Sequence, residues 1–129
     1  MSNSIKDYED VRTLIQLYID GSNGDAGKLR AAFHPQARMA GYIGDLVSDN
    51  EPIEDFITLV EATPGLAGPN YQAYVRTIDL DGDAGVAVLV ESDYYNCDFV
   101  DYFSVVRLDG RWQITNKTYA HTGGTPPTV

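Results

Sequence analysis

Asp98-Phe99-Val100-Asp101-Tyr102-Phe103-Ser104-Val105-Val106-Arg107-Leu108, then Asp109-Gly110, then Arg111-Trp112-Gln113-Ile114-Thr115-Asn116-Lys117-Thr118-Tyr119-Ala120-His121, is the stretch that decides the fold. Asp-Gly between two long runs of β-branched and aromatic residues is a strong hairpin signal. With Asp109 and Gly110 as the central turn residues, Leu108 pairs with Arg111, Arg107 with Trp112, Val105 with Ile114, Phe103 with Asn116 and Asp101 with Thr118. Side chains alternate along a strand. One face therefore carries Phe99, Asp101, Phe103, Val105, Trp112, Ile114, Asn116 and Thr118. It is apolar near the turn and becomes polar at Asp101, Asn116 and Thr118, the pattern of a core that opens into a pocket. The opposite face carries Tyr102, Val106, Lys117, Tyr119 and His121.

Outward from the hairpin, the 129 residues are the length of one domain with one sizeable core. Hydrophobic residues at 43% and charged ones at 22% are ordinary for a globular chain. A net charge of −10 and a pI near 4.3 exclude nucleic acid and anionic membrane surfaces as natural partners. No apolar run is long enough to span a bilayer and no signal-peptide pattern opens the chain, so a cytoplasmic location is expected. Cys97 is the single cysteine, which leaves no internal disulfide. Two histidines without metal-ligand spacing argue for no metal site, and no cofactor is expected.

Upstream, Ser4-x-x-Asp7 opens a first helix with Val11, Leu14, Ile15 and Tyr18 at helical spacing. Asp25 caps a second, short helix that Pro35 stops. Ala37–Ile43 and Leu46–Ser48 read as strands around a Gly44-Asp45 turn. Asn50, with Pro52 just inside, starts a third helix carrying Ile53, Phe56, Ile57 and Val60. Leu66–Asn70 reads as a Gly/Pro loop. Tyr71–Leu80 and Ala84–Tyr95 are long strands around Asp81-Gly82-Asp83, with Val86, Val88 and Val90 sharing a face. Residues 1–121 form the domain, and the Thr/Gly/Pro-rich residues 122–129 a flexible C-terminal tail.

Helix, helix, strand pair, helix and four long antiparallel strands resemble the nuclear transport factor 2-like superfamily. Tyr18-Ile19-Asp20-Gly21, Phe33-His34-Pro35-Gln36-Ala37, Ile53-Glu54-Asp55-Phe56 and Asp109-Gly110-Arg111-Trp112 carry the resemblance. Asp101-Tyr102-Phe103 and Asn116-Lys117 make the chain most similar to its "putative lumazine-binding" branch, a relative of the SnoaL-like polyketide cyclases. The resemblance implies an α+β, cystatin-like cone: three N-terminal helices packed on a curved, mostly antiparallel sheet. It also implies a small, partly apolar or aromatic ligand in the cone. Isomerases of the superfamily place an Asp base on the first strand after the short helix; here that position is Gly41, which argues against isomerase chemistry.

The candidate residues follow from the hairpin faces. Asp101 beside Phe99 and Phe103 suits a general acid or base, because burial there disfavours its charged form. Pairing with Asn116 and Thr118 is the structural alternative. His34, at a helix exit, is the partner for acid–base work in the same cavity. Tyr18, Tyr42, Ser92, Tyr94, Phe99, Phe103, Asn116 and Thr118 are the expected ligand contacts, with Ser92 opposite Asp101. Val88, Val90, Phe103 and Trp112 are the expected apolar floor. Lys117 is placed on the outer face; a strand bulge would instead bring it inside to Asp101. The outer stripe of Tyr102, Val106, Lys117 and Tyr119 suggests a homodimer. Three functions fit: a pocket protein, an acid–base enzyme of the dehydratase, isomerase or cyclase type using Asp101 and His34, or a structural dimer with a filled cone.

Overall fold

A computed structural model describes residues 2–127. Ser4 caps the first helix, α1 (Ile5–Ser22), accepting from the Asp7 N–H while Asp7 accepts from the Ser4 N–H. Val11, Leu14, Ile15 and Tyr18 form its buried stripe. Asp25 caps α2 (Ala26–Ala32) by accepting from the Lys28 N–H. Then come β1 (Phe33–Ile43), β2 (Leu46–Pro52), α3 (Ile53–Ala62), β3 (Ala67–Asp81), β4 (Ala84–Tyr94), β5 (Cys97–Leu108) and β6 (Arg111–Gly124). The strands form one sheet in the order β2-β1-β6-β5-β4-β3. Every neighbouring pair is antiparallel except β1 with β6. The core lies between the sheet and the three helices, centred on Tyr18, Phe33, Phe103, Leu29 and Ile114. The expected α+β cone is what forms.

Several boundaries differ from the sequence reading. The Leu66–Asn70 segment is mostly strand: the Tyr95 N–H donates to the Leu66 carbonyl and Asp93 Oδ2 accepts from the Asn70 N–H. Asn50 does not cap α3; it lies in β2 with φ of 52°, and Pro52 occupies the cap without a side-chain bond. The strand β6 runs to Gly124, past the expected boundary at 121, because Asn96 clamps Thr125 from both sides: the Thr125 N–H donates to Asn96 O and Asn96 Nδ2 to Thr125 O. Residues 128 and 129 of the expected tail lie outside the described residues.

The register change that matters for function is in β6. Leu108–Arg111, Arg107–Trp112 and Val105–Ile114 pair as the Asp109-Gly110 turn requires. A bulge then leaves Thr115 without its own partner, so Asn116 pairs with Ser104, Lys117 with Phe103 and Tyr119 with Asp101. Since side chains alternate, one extra residue exchanges the two faces beyond it. Lys117 and Tyr119 turn into the cone, whereas Asn116 and Thr118 turn out.

The preceding hairpin is displaced as well. Its turn is Tyr95-Asn96, both at positive φ as a two-residue hairpin turn requires, and Asp93 at φ 59° sits within a further shift of register. Leu89 thereby pairs with Asp101 and Glu91 with Phe99. The inner face of β4 is Ala87, Leu89 and Glu91, all buried, and not Val86, Val88 and Val90.

Candidate functional site

A cavity of about 350 Å³ opens between the sheet, α1 and α3. Its walls are apolar and aromatic: Tyr18, Met39, Phe56, Leu66, Tyr94 and Phe99 are all buried. Leu46 and Leu59 stand at the mouth and are largely exposed. Five charged residues line this space: Glu51 and Asp55, which are not buried, and, from adjacent strands, Glu91 of β4, Asp101 of β5 and Lys117 of β6, exposed by only 3%, 1% and 6%. Three ionisable groups so deeply buried cost stability unless they compensate one another.

Glu91 and Asp101 act as a pair. Burial, the Asp101 charge and a hydrogen bond with the Asp101 side chain hold the Glu91 carboxyl well above the usual carboxylate range, more than the Lys117 charge and the Tyr71 hydroxyl lower it. The two carboxyls therefore interact, and Glu91 holds its proton more tightly than an ordinary carboxyl does. The Tyr71 hydroxyl donates to Glu91 Oε2 at 2.6 Å and fixes that carboxyl from β3. Asp101 Oδ2 is buried with no hydrogen-bond partner among the described residues. Burial above all raises the phenols of Tyr71 and Tyr94 above their ordinary value, so both hydroxyls remain donors.

Lys117 is held by rings. Its Nζ lies 4.1 Å from the ring centre of Phe56, 5.1 Å from that of Tyr18 and 5.4 Å from that of Tyr119. These separations fall within the range of cation–π attraction. Phe103, at 1% exposure, packs under Tyr18 at 4.8 Å between ring centres and so supports one wall of this cage. Tyr119 is fixed by a 2.8 Å hydrogen bond between its hydroxyl and Ser48 Oγ.

Of the residues singled out from the sequence, Asp101, Tyr18, Tyr94 and Phe99 line this cavity. Phe103 lies behind it as core, and Tyr94 also donates its hydroxyl to the Ser22 carbonyl at 2.8 Å. The others are elsewhere. His34 follows the inward-facing Phe33, so alternation turns it away; its Nδ1 accepts from the Gln36 N–H. Tyr42 is 61% exposed next to the β1–β2 turn. Ser92 pairs with Gln72, not with Asp101, and lines a shallow depression with Tyr74 and Val90. Asn116 and Thr118 are on the outer face because of the Thr115 bulge. The expected His34–Asp101 couple is thus replaced by Glu91–Asp101, with Lys117 beside it.

The Gly41 position has a steric reason. A Cβ there would lie 2.5 Å from the Tyr119 carbonyl oxygen and 2.8 Å from its ring, so no side chain fits against this stretch of β6. The acids of this cone stand instead on β4 and β5.

Comparison with known proteins agrees with this architecture. The model of the family described as "putative lumazine-binding" matches residues 6–120, and the chain belongs to that family. The aldolase FrzH of Cladobotryum sp is 23% identical over 115 residues, covering 88% of this chain and 90% of that protein. An NTF2-like protein of unknown function from Methylobacillus flagellatus KT superimposes with a TM-score of 0.85 at 27% identity, covering 95% of this chain and 97% of the other. A ketosteroid isomerase-like protein from Erwinia carotovora atroseptica shares the fold, with a TM-score of 0.69 at 9% identity over 93% and 99% of the two chains. Family and fold suit a protein with a small-molecule pocket, and the cone of this chain is open enough to hold one. No helix among the described residues is long and apolar enough to cross a membrane.

Proposed function

We propose that the cavity binds a small, partly aromatic carbonyl compound and that Asp101 and Glu91 move its α proton, as the first step of an aldol-type reaction requires. The reading rests above all on the Asp101 carboxyl, which lines an otherwise largely apolar cavity and is 1% exposed, beside a second acid, Glu91, that holds its proton more tightly than an ordinary carboxyl. Opposed protonation states in adjacent acids are how one site keeps both a base and an acid at neutral pH. The similarity to a protein named as an aldolase supports the same class.

In this mechanism the Asp101 carboxylate takes the α proton, the C–H electron pair forms a C=C bond and the carbonyl π pair moves onto oxygen, giving an enolate. The enolate carbon then adds to an aldehyde, and the new alkoxide recovers the proton from Asp101. Glu91 keeps its own proton and stabilises the Asp101 charge before the α proton is taken and after it is returned, while Tyr71 holds Glu91 in place. The apolar walls exclude water from the enolate. The experiment is deuterium exchange: 2-tetralone or phenylacetone incubated with the protein in D2O should gain deuterium at the α carbon faster than in buffer, as followed by NMR. No acceleration with any small aryl ketone, alongside measurable binding of the same compounds, would leave a binding protein and end the enzymatic reading.

The outer sheet face exposes Tyr74, Val86, Tyr102 and Leu108, and the same reading takes the assembly as a homodimer through that face. Lys117 and Tyr119, expected in this stripe, are not part of it. A monomeric mass by light scattering at micromolar concentration would remove this assembly.

A further inference from the structure

We infer that Lys117 is a catalytic residue whose ammonium receives the substrate oxygen that becomes anionic, without forming a covalent bond to it. The inference deepens the carbonyl reading above and rests on it for the reaction, but not for the anion-binding chemistry. Three observations carry it. Among the described residues no carboxylate lies within 4.0 Å of Nζ and no hydrogen-bond acceptor engages it, although the residue is 6% exposed. Nζ is aimed into the cavity that Asp101 also lines, so its N–H donors face the ligand space. The faces of Phe56, Tyr18 and Tyr119 surround it.

The quadrupoles of the ring faces attract a cation and have no comparable interaction with a neutral amine. A Schiff base would need the neutral amine as nucleophile. Charge bookkeeping points the same way. In the proposed step Lys117 enters as the ammonium and Asp101 as the carboxylate, with Glu51 and Asp55 also on the lining. Afterwards the proton is on Asp101 and the negative charge is on the ligand oxygen beside Lys117. Net charge in the low-dielectric site is unchanged, so transfer needs no new compensation from solvent. The ligand class follows: a compound that presents an enolisable carbonyl or an acidic phenol to the cavity floor.

The probe is 4-nitrophenol, whose neutral and ionised forms absorb at different wavelengths. At a pH where it is mostly neutral in solution, the wild-type protein should bind it as the phenolate, with its proton passed to the acid pair. Lys117→Met, checked for folding by circular dichroism and paired with Lys117→Gln in case Met collapses the cavity, should bind it at least ~10-fold more weakly and as the neutral phenol. Exchange of the probe ketones should fall by ~100-fold or more in the same variants. Phenolate binding that survives both substitutions overturns the inference. So does reductive trapping: a stable adduct on Lys117 after an aryl aldehyde and cyanoborohydride would show an amine nucleophile instead. Phenolate binding that depends on Lys117, with no α-proton exchange in wild type, would remove the carbonyl reading and leave the anion site standing.

Discussion

Replacing Glu91 by Gln removes the titrating member of the acid pair while keeping its shape, and the consequence is a change in how stability depends on pH. Burial and the Asp101 charge raise the Glu91 carboxyl from its ordinary value of 4.5. Between that value and its folded one, the unfolded chain has lost the proton and the folded protein retains it. The stabilising contribution is therefore complete below about pH 4.5 and is lost as pH rises through the folded value. One proton of difference gives a slope of up to about 1.4 kcal/mol per pH unit. For a 129-residue chain the unfolding entropy near Tm is about 0.27 kcal/mol/K, so the slope amounts to about 5 °C per pH unit. Thermal unfolding by circular dichroism from pH 5 to 8 should show the wild-type Tm falling relative to that of Glu91→Gln by up to that amount per unit. At neutral pH the variant should be as stable as wild type or more so, since Gln still accepts from Tyr71. A Tm difference that does not change with pH, or a variant uniformly less stable, would refute the raised Glu91 carboxyl.

Trp112, 6% exposed beneath the Arg107 guanidinium at 5.1 Å, is core and not a ligand contact; Trp112→Ala should cost about 3–5 kcal/mol, and denaturant unfolding measures it. A variant that keeps its midpoint but no longer binds 4-nitrophenol would contradict that placement. His121 ties the β1–β2 turn to the end of β6, accepting the Gly44 N–H at Nδ1 and facing the Gly124 carbonyl through Nε2. In His121→Ala the Gly44 amide should exchange with D2O faster, by about 10-fold if the bond contributes ~1 kcal/mol or slightly more, while core amides of β5 stay protected. Unchanged protection at Gly44 would show that the turn holds without the histidine.

The hairpin phrase Leu108-Asp109-Gly110-Arg111 was legible because turn chemistry fixes pairing near the turn, and with it the core roles of Val105, Trp112 and Ile114. Six residues from the turn the inference ended, since nothing in Ile114-Thr115-Asn116 marks an unpaired residue. Asp101 survived because it lies on β5, the strand without the extra residue. Lys117 and Tyr119 were exchanged with Asn116 and Thr118 by the Thr115 bulge, the alternative that would bring Lys117 inside. Glu91 was missed for a different reason. The valines of β4 look more like a core face than Ala87, Leu89 and Glu91 do, and in a sheet with a half-covered outer face apolar residues appear on both sides. The available signal was a carboxylate placed directly after the apolar run Val86–Val90 and in alternation with Ala87 and Leu89.

The most direct test of the account is the rate of α-deuteration of 2-tetralone by wild type and Asp101→Asn, measured by NMR alongside the affinity of each for the same ketone. Asparagine preserves the shape and cannot take the proton, so exchange should fall by ~100-fold or more while Kd changes by less than about threefold. Equal exchange rates in the two proteins, with binding intact, would contradict the claim that Asp101 is the base of this cavity.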